Sequence, residues 1–281
     1  MAESKDRIET LNGARIQHGK GNDRVYLMKL GSADPDAVIT GIEELAARED
    51  YSKIFCKVPR RAADAFARRG YETEARIPGF YNGSEDVHFM SRFLQNWRLA
   101  CEAEEQHRQV LEAARAKAGT AIIPQLEEDL RFAACEPGHA DDIAALYRLV
   151  FASYPFPIHD PEYIRETMAS HVVYYGIWKN DHLVALSSAE MDEAASNVEM
   201  TDFATHPDHR GAGYGLFLLD HMDKAMRDRG LLTAYTIARS VSFGMNITFA
   251  KLGYEFAGTL RNNTDICGSF ECMNIWFKPL R

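Results

Sequence analysis

The sequence predicts an α/β protein built from two α/β segments joined by a helical connection: residues 1–95, 96–128 and 129–281. Three observations carry this. A strand pattern at 198–205 runs through His206-Pro207 into Arg210-Gly211-Ala212-Gly213-Tyr214-Gly215 and then into a helical pattern. Strand and helix patterns alternate throughout 129–281. A shorter strand-helix-strand-strand run echoes them in the first segment.

The elements follow in order. Ile54-Phe55-Cys56-Lys57-Val58-Pro59 reads as a strand, a helix ends at Phe66-Ala67-Arg68-Arg69-Gly70-Tyr71, and strands follow near 72–77 and 87–93. From Phe93 to Gly119 there is no Gly or Pro, and Trp97, Val110, Leu111 and Ala114 alternate with charges, so one long connecting helix is expected. Leu130 to Cys135 reads as a strand, and the next helix carries Ile143, Leu146, Tyr147 and Val150. Pro155 and Pro157 break it, and Asp160-Pro161 starts a second short helix. Strand patterns at 172–178 and 183–189 flank Asn180-Asp181, a hairpin signal. After the glycine run come a helix closed by Arg229-Gly230, a strand at 233–237 and a helix ending at Phe249-Ala250-Lys251-Leu252-Gly253-Tyr254. Closing strands are expected near 255–260 and 271–277.

Glycines at three alternate positions let the backbone turn its amides toward one point, and the following helix adds unpaired N–H groups and a positive dipole end. That is an anion cradle suited to a pyrophosphate. Neither G-x-G-x-x-G nor G-x-x-x-x-G-K-[ST] is present, so two common phosphate loops are excluded. The run instead resembles the R/Q-x-x-G-x-G/A signature of the GNAT acetyltransferases, with Arg210, Gly213 and Gly215 at its fixed positions and Gly211, Ala212 and Tyr214 between them. The resemblance implies a GNAT fold with a mixed, largely antiparallel central sheet and acetyl-CoA as cosubstrate. The order β-α-α-β-β-β-α-β-α-β-β over residues 129–281 is that arrangement from end to end. Phe66-Ala67-Arg68-Arg69-Gly70-Tyr71 answers Phe249-Ala250-Lys251-Leu252-Gly253-Tyr254, which makes the first segment either a degenerate half of the same fold or a chance match of a generic helix ending. Ile16-Gln17-His18-Gly19-Lys20, Ile77-Pro78-Gly79-Phe80-Tyr81-Asn82-Gly83, Thr236-Ile237-Ala238-Arg239-Ser240 and Asn262-Asn263-Thr264 look like the β-lysine N-acetyltransferases. Such enzymes acetylate the ε-amine of (3S)-3,6-diaminohexanoate to make a neutral compatible solute.

A lysine-like ε-amine, with a pKa near 10.4, arrives protonated, so a carboxylate must take its proton. Glu199 and Asp202 are the candidates, and Glu190 on the neighbouring strand is a third. Strand alternation puts Glu199 and Asp202 on opposite faces unless a bulge intervenes. Glu199 stands eight residues before Pro207, where many GNAT enzymes carry the catalytic glutamate, and is favoured. By the same resemblance, backbone amides around Phe203, Ala204 and Thr205 meet the thioester; Asn246, one turn before Phe249 on the same helix, is either a contact for the pantetheine arm or a polar surface position. Many GNAT enzymes place a tyrosine where this chain has Phe249; Tyr235, Tyr254 or water is left to protonate the thiolate, or the thiolate leaves unassisted. Arg239, Asn262 and Asn263 are the expected contacts for the substrate's carboxylate and β-amine.

A net charge of −9 argues against a nucleic-acid partner and is compatible with a cationic small substrate. No apolar run reaches membrane-spanning length and the start lacks a signal-peptide core, so a cytoplasmic protein is expected, with a small amine as partner and a homodimer left open. Cys56, Cys101, Cys135, Cys267 and Cys272 are read as reduced thiols. No metal is expected: the ten histidines lack metal-binding spacing, and His206 and His209 suit a turn. Ser240 and Ser242 lack a nucleophile-elbow context. Two other readings stay open: a GNAT enzyme for another small amine such as a polyamine, and a catalytically silent acyl-CoA-binding module.

Overall fold

Alternating apolar residues set the strands of the first half. In β3 (Arg24–Lys29) and β4 (Lys53–Pro59), Val25, Leu27, Ile54 and Cys56 pack under two helices, while Tyr26 and Phe55 turn to the other face of the sheet. The helices are α1 (Pro35–Arg48) and α2 (Arg60–Arg68). Asp34 caps α1 by accepting from Ala37 N at 3.2 Å, with Pro35 in the first turn, and Val38, Ile39, Ile42 and Leu45 form its buried stripe. The half is completed by β1 (Arg7–Leu11), β2 (Ala14–Gly19), β5 (Glu72–Tyr81) and β6 (Glu85–Phe93). A computed structural model describes residues 6–101, 103–152, 154–266 and 268–280 of the chain.

The connection differs from the single long helix expected. Phe93 ends β6, paired with Lys53, a short 3-10 turn spans Asn96–Leu99, and the helix α3 covers only Glu104–Arg115. Sheet pairing at one end and the burial of Arg98 in the 3-10 turn override helix propensity. The Arg98 guanidinium donates to Ser52 Oγ at 2.7 Å and to the carbonyls of Asn22, Asp23 and Asn262. α3 buries Val110 and Ala114 and packs on α7 (Phe243–Lys251).

The second half follows the expected order: β7 (Leu130–Ala134), α4 (Ala140–Val150), α5 (Pro161–Met168), β8 (Val172–Lys179), β9 (His182–Asp192), β10 (Asn197–Thr205), α6 (Tyr214–Asp228), β11 (Thr233–Arg239), α7, β12 (Glu255–Ile266) and β13 (Ser269–Pro279). Asn180 and Asp181 both have positive φ, as a tight β8–β9 hairpin requires. The closing strands are longer than expected, so Asn262 and Asn263 lie within β12 and Arg239 ends β11.

Among the described residues, thirteen strands join one sheet, ordered β1-β2-β3-β4-β6-β5-β12-β13-β11-β10-β9-β8-β7. The pairs β3/β4 and β10/β11 are parallel and the other strand pairs antiparallel. The order β2-β3-β4-β6-β5 mirrors β9-β10-β11-β13-β12, and α1 and α2 fill the connections that α6 and α7 fill in the second half. The halves meet where Gly258 of β12 pairs with Ala75 of β5. A Cβ at Gly258, whose φ is +150°, would sit 2.1 Å from Glu74 O, so this approach needs glycine. Tyr26, Phe55 and Phe89 from one half and Tyr235, Ile275 and Phe277 from the other share a core across that junction.

The cysteine reading needs correction. Cys101 and Cys272, 171 residues apart in sequence, form a disulfide, whereas Cys56 and Cys135 are free; Cys267 lies outside the described residues. Sequence spacing could not pair them, because Asn262 does so in space: its amide holds Ala100 O at 2.6 Å while its backbone N–H meets Cys272 Sγ at 3.3 Å.

Candidate active site

A bulge in β10 builds the site. The β9–β10 register runs Glu199↔Glu190, Met200↔Ala189, Thr201↔Ser188, then skips to Ala204↔Leu186. The extra residue falls at Asp202–Phe203, and Asp202 has a left-handed φ of +55°. Strict alternation would aim Glu199 and Asp202 at opposite faces; the bulge lets both line one cleft. On the other edge of β10, pairing to β11 stops at Glu199↔Tyr235, although β10 runs on to Thr205 and β11 to Arg239. The strands part there and leave a second cavity, lined by Phe203, Thr236, Arg239, Met245 and Phe249.

The two cavities share Tyr154, Thr201 and Asp202 as a common wall. The first is the roomier, about 980 Å³ with its mouth, enough for a six-carbon amino acid. It gathers charge from both halves of the chain: Arg24 and Lys57 from β3 and β4, and Glu190, Glu199 and Asp202 from β9 and β10.

Burial pushes the Glu199 carboxyl up to about 7, with the opposing Glu190 adding repulsion; Lys57 and a hydrogen bond from Tyr235 only partly offset this. For Glu190 burial again disfavours ionisation, but His171 at 3.6 Å and the charge of Lys57 outweigh it and hold that carboxyl below its ordinary range. Two carboxylates facing each other are thus driven apart, one kept ionised and one poised near neutrality. Burial works against the Lys57 ammonium too, yet Tyr26, Glu199 and Glu190 around it hold it protonated. Burial also raises Asp202, whose oxygens accept from Ser188 Oγ at 2.6 Å, Thr201 Oγ1 at 3.2 Å and the Tyr154 hydroxyl.

The glycine run forms an open cradle at the start of α6. Gly211 and Gly213 have φ of +88° and +81°, and no side chain caps the helix. The left-handed φ favours glycine at Gly211, and a Cβ on Gly211 or Gly215 would meet nothing within 4 Å, so the space beside this helix start is open. Arg210 stands exposed at the entrance to this run.

Other expected residues fall elsewhere. Asn246 is fully buried: its amide donates to Arg239 O and Ser242 O at 3.0 and 2.7 Å and its oxygen accepts from Asn274 and Trp276 at 2.8 Å each, so it has nothing left for a pantetheine arm. The Asn262 amide is committed to the carbonyls of Trp97, Arg98 and Ala100. Arg239 is ion-paired with Glu271 and lines the second cavity, not the cleft holding Glu199. Asn263 does line that cleft. Phe249 is buried edge-on against Phe203 and Tyr254, and the Tyr254 hydroxyl is tied to Asp223 at 2.6 Å. Tyr154 is the phenol bordering both cavities. Sequence reading missed Arg24, Lys57 and Tyr154, which lie in segments with no motif of their own; only the alternation that turns Arg24 and Tyr26 to opposite neighbours from Val25 hinted at a second functional face.

A strand opening beside a glycine cradle, with a poised carboxylate at its edge, is the architecture of an acyl-CoA-dependent transferase. The sequence model of the acetyltransferase (GNAT) family matches residues 143–254, and the chain belongs to this family of N-acetyltransferases. It is 38% identical to the β-lysine N(6)-acetyltransferase of Methanococcus maripaludis, over 97% of this chain and 98% of that protein. It is 32% identical to the β-lysine N(6)-acetyltransferase of Methanosarcina mazei, over 87% of this chain and 97% of that one. Identity to the N-acetyltransferase YodP of Bacillus subtilis is 30%, over 95% and 96%.

Proposed function

We propose that this enzyme acetylates the ε-amine of β-lysine from acetyl-CoA, giving N6-acetyl-β-lysine, a compatible solute. The observation that carries the reading is Glu199: a carboxyl poised at about 7, in a cleft with both cationic and anionic side chains, at the point where β10 and β11 part. Near-full-length similarity to two β-lysine acetyltransferases supports the choice of amine.

The cradle residues Arg210, Gly211, Ala212, Gly213, Tyr214 and Gly215 hold the pyrophosphate, and the backbone of Phe203, Ala204 and Thr205 borders the reacting end. When bound, acetyl-CoA supplies the acetyl group as a thioester. Glu199 accepts the proton of the substrate ammonium, a task for which a pKa near neutrality is suited. Asp202, held by Ser188, Thr201 and Tyr154, orients the amine and keeps the Tyr154 hydroxyl at the wall between the cavities. In this reading residues 129–281 carry the cradle and the base, 96–128 connect, and 1–95 form one wall of the acceptor cleft.

The test is CoA release, followed with a thiol reagent, on a panel of β-lysine, lysine, spermidine and putrescine. The reading expects β-lysine to give the highest kcat/KM. Preference for spermidine or putrescine would move the enzyme to the polyamines, and binding of acetyl-CoA with no release on any amine would favour a silent binding module.

A further inference from the structure

We infer that the specificity site for the amino-acid end of the acceptor is built between the two halves of the chain, with Arg24 of the first half binding its carboxylate and the side-chain oxygen of Asn263 of the second half receiving its β-ammonium. The inference rests on the acceptor being a β-amino acid and deepens that reading by adding a residue, Arg24, from outside the acetyltransferase half.

Arg24 is 4% exposed, yet among the described residues no carboxylate lies within ion-pairing distance of it and its Nε has no hydrogen-bond partner. A buried guanidinium with no carboxylate in contact is costly, and burial lowers its pKa to about 10, with the charges of Tyr26 and the more distant Asp6 offsetting only part of the effect. Its orientation is nonetheless fixed. Nη1 donates to Asn263 O and, at 3.3 Å, to Thr264 Oγ1, and the group packs over the rings of Tyr26 and Phe55 at 5.3 and 5.6 Å. Asn263, 1% exposed, has an equally unpartnered side-chain oxygen. Both residues line the cleft that holds Glu199.

An unpaired donor and an unpaired acceptor thus sit on two residues already bonded to each other. A β-amino acid presents their complement: a carboxylate, and an ammonium two carbons away. The carboxylates Glu190, Glu199 and Asp202 come from β9 and β10, eight and seven strands away from β3 in sheet order. The cleft is therefore bipolar, with a cation on one half and the acids on the other, which suits an acceptor carrying its carboxylate at one end and its reacting amine at the other. The other cations do not fit this role. Lys57 faces Tyr235 Oη at 3.4 Å and the charges of Glu199 and Glu190, and Arg239 is paired with Glu271.

The test compares β-lysine with pentane-1,4-diamine, which lacks only the carboxylate, and with 6-aminohexanoate, which lacks only the β-amine. Wild-type kcat/KM should favour β-lysine over the diamine by about 100-fold or more, since a site built around a charged group rejects ligands without it. Arg24→Gln and Arg24→Lys should collapse that ratio at least about tenfold, chiefly through KM, with acetyl-CoA affinity and kcat on the diamine retained. Asn263→Ala should instead narrow the preference for β-lysine over 6-aminohexanoate. Should the Arg24 variants not fold, wild-type enzyme still decides: 3-aminobutanoate, which carries both groups, should compete with β-lysine, and sec-butylamine should not. Equal inhibition by these two, or an unchanged substrate ratio in folded Arg24 variants, would overturn the inference while leaving the acetyltransferase reading intact. Wild-type enzyme that uses the diamine as well as β-lysine would overturn both.

Discussion

Replacing Glu199 by glutamine keeps the shape of the side chain and removes the group assigned to take the proton. Loss of a positioned general base lowers turnover by about 10²–10⁴-fold. The pH dependence separates this from a packing defect. In the wild type the rate should rise as Glu199 deprotonates and level off above its pKa of about 7. The variant must wait for free amine, about 1 molecule in 2,500 at pH 7 for a group near 10.4, so its rate should climb about tenfold per pH unit toward pH 10. The deficit therefore shrinks with rising pH. Stability moves the opposite way. The folded state holds the Glu199 proton up to about 7, whereas the ordinary value is 4.5, so between these the folded protein binds more protons and loses stability as pH rises. Above pH 7 the buried charge costs about 3 kcal/mol, which Glu199→Gln should recover at pH 9 and not at pH 4. Steady-state CoA release across pH 6–10 and urea unfolding at the two extremes measure both effects. An unchanged rate at pH 7, or a deficit that does not vary with pH, would refute the assignment and pass the role to Glu190 or Asp202.

Gly215→Val should leave the protein folded, because a Cβ there meets nothing within 4 Å, yet abolish acetyl-CoA binding by filling the phosphate approach; wild-type affinity by isothermal titration would contradict the cradle. Arg239→Ala, which breaks the pair with Glu271, should change β-lysine and pentane-1,4-diamine turnover by the same factor, and a selective loss on β-lysine would return the carboxylate to Arg239. Cys101→Ser, or reduction of the pair with Cys272, should lower stability by about 2–4 kcal/mol in urea, since the bridge closes a long loop; an unchanged midpoint would mean the thiols are not bonded in solution.

The second half was legible because its signals are local. Pro161 after Asp160, Asn180-Asp181, and the strand, glycines and helix in succession each act within a few residues, and the structure has the elements there. Glu199 and Asp202 were legible as types, but their convergence needed a bulge that no residue pattern announces. The first half was read only in part. The signal for α1 is local, Asp34-Pro35 followed by Val38, Ile39, Ile42 and Leu45, but it carries no chemical motif. That same Asp34 explains why this half has no cradle: its own carboxylate occupies the helix start where the second half leaves glycine. What could not be read is long-range. Arg24 meets Asn263 across 239 residues, Cys101 meets Cys272 across 171, and Asn246 of α7 is absorbed by Asn274 and Trp276 of β13. Residue type and spacing do not encode such meetings; only the folded sheet does.

The central claim, that the ε-amine of β-lysine is the acceptor, is tested most directly by the position of the acetyl group in the product. Wild-type enzyme incubated with β-lysine and acetyl-CoA should yield one monoacetylated species, with the amide proton coupled to the C6 methylene in the NMR spectrum and no acetyl on the C3 nitrogen. Acetylation at C3, a mixture of the two, or no product while a diamine is consumed would contradict the account.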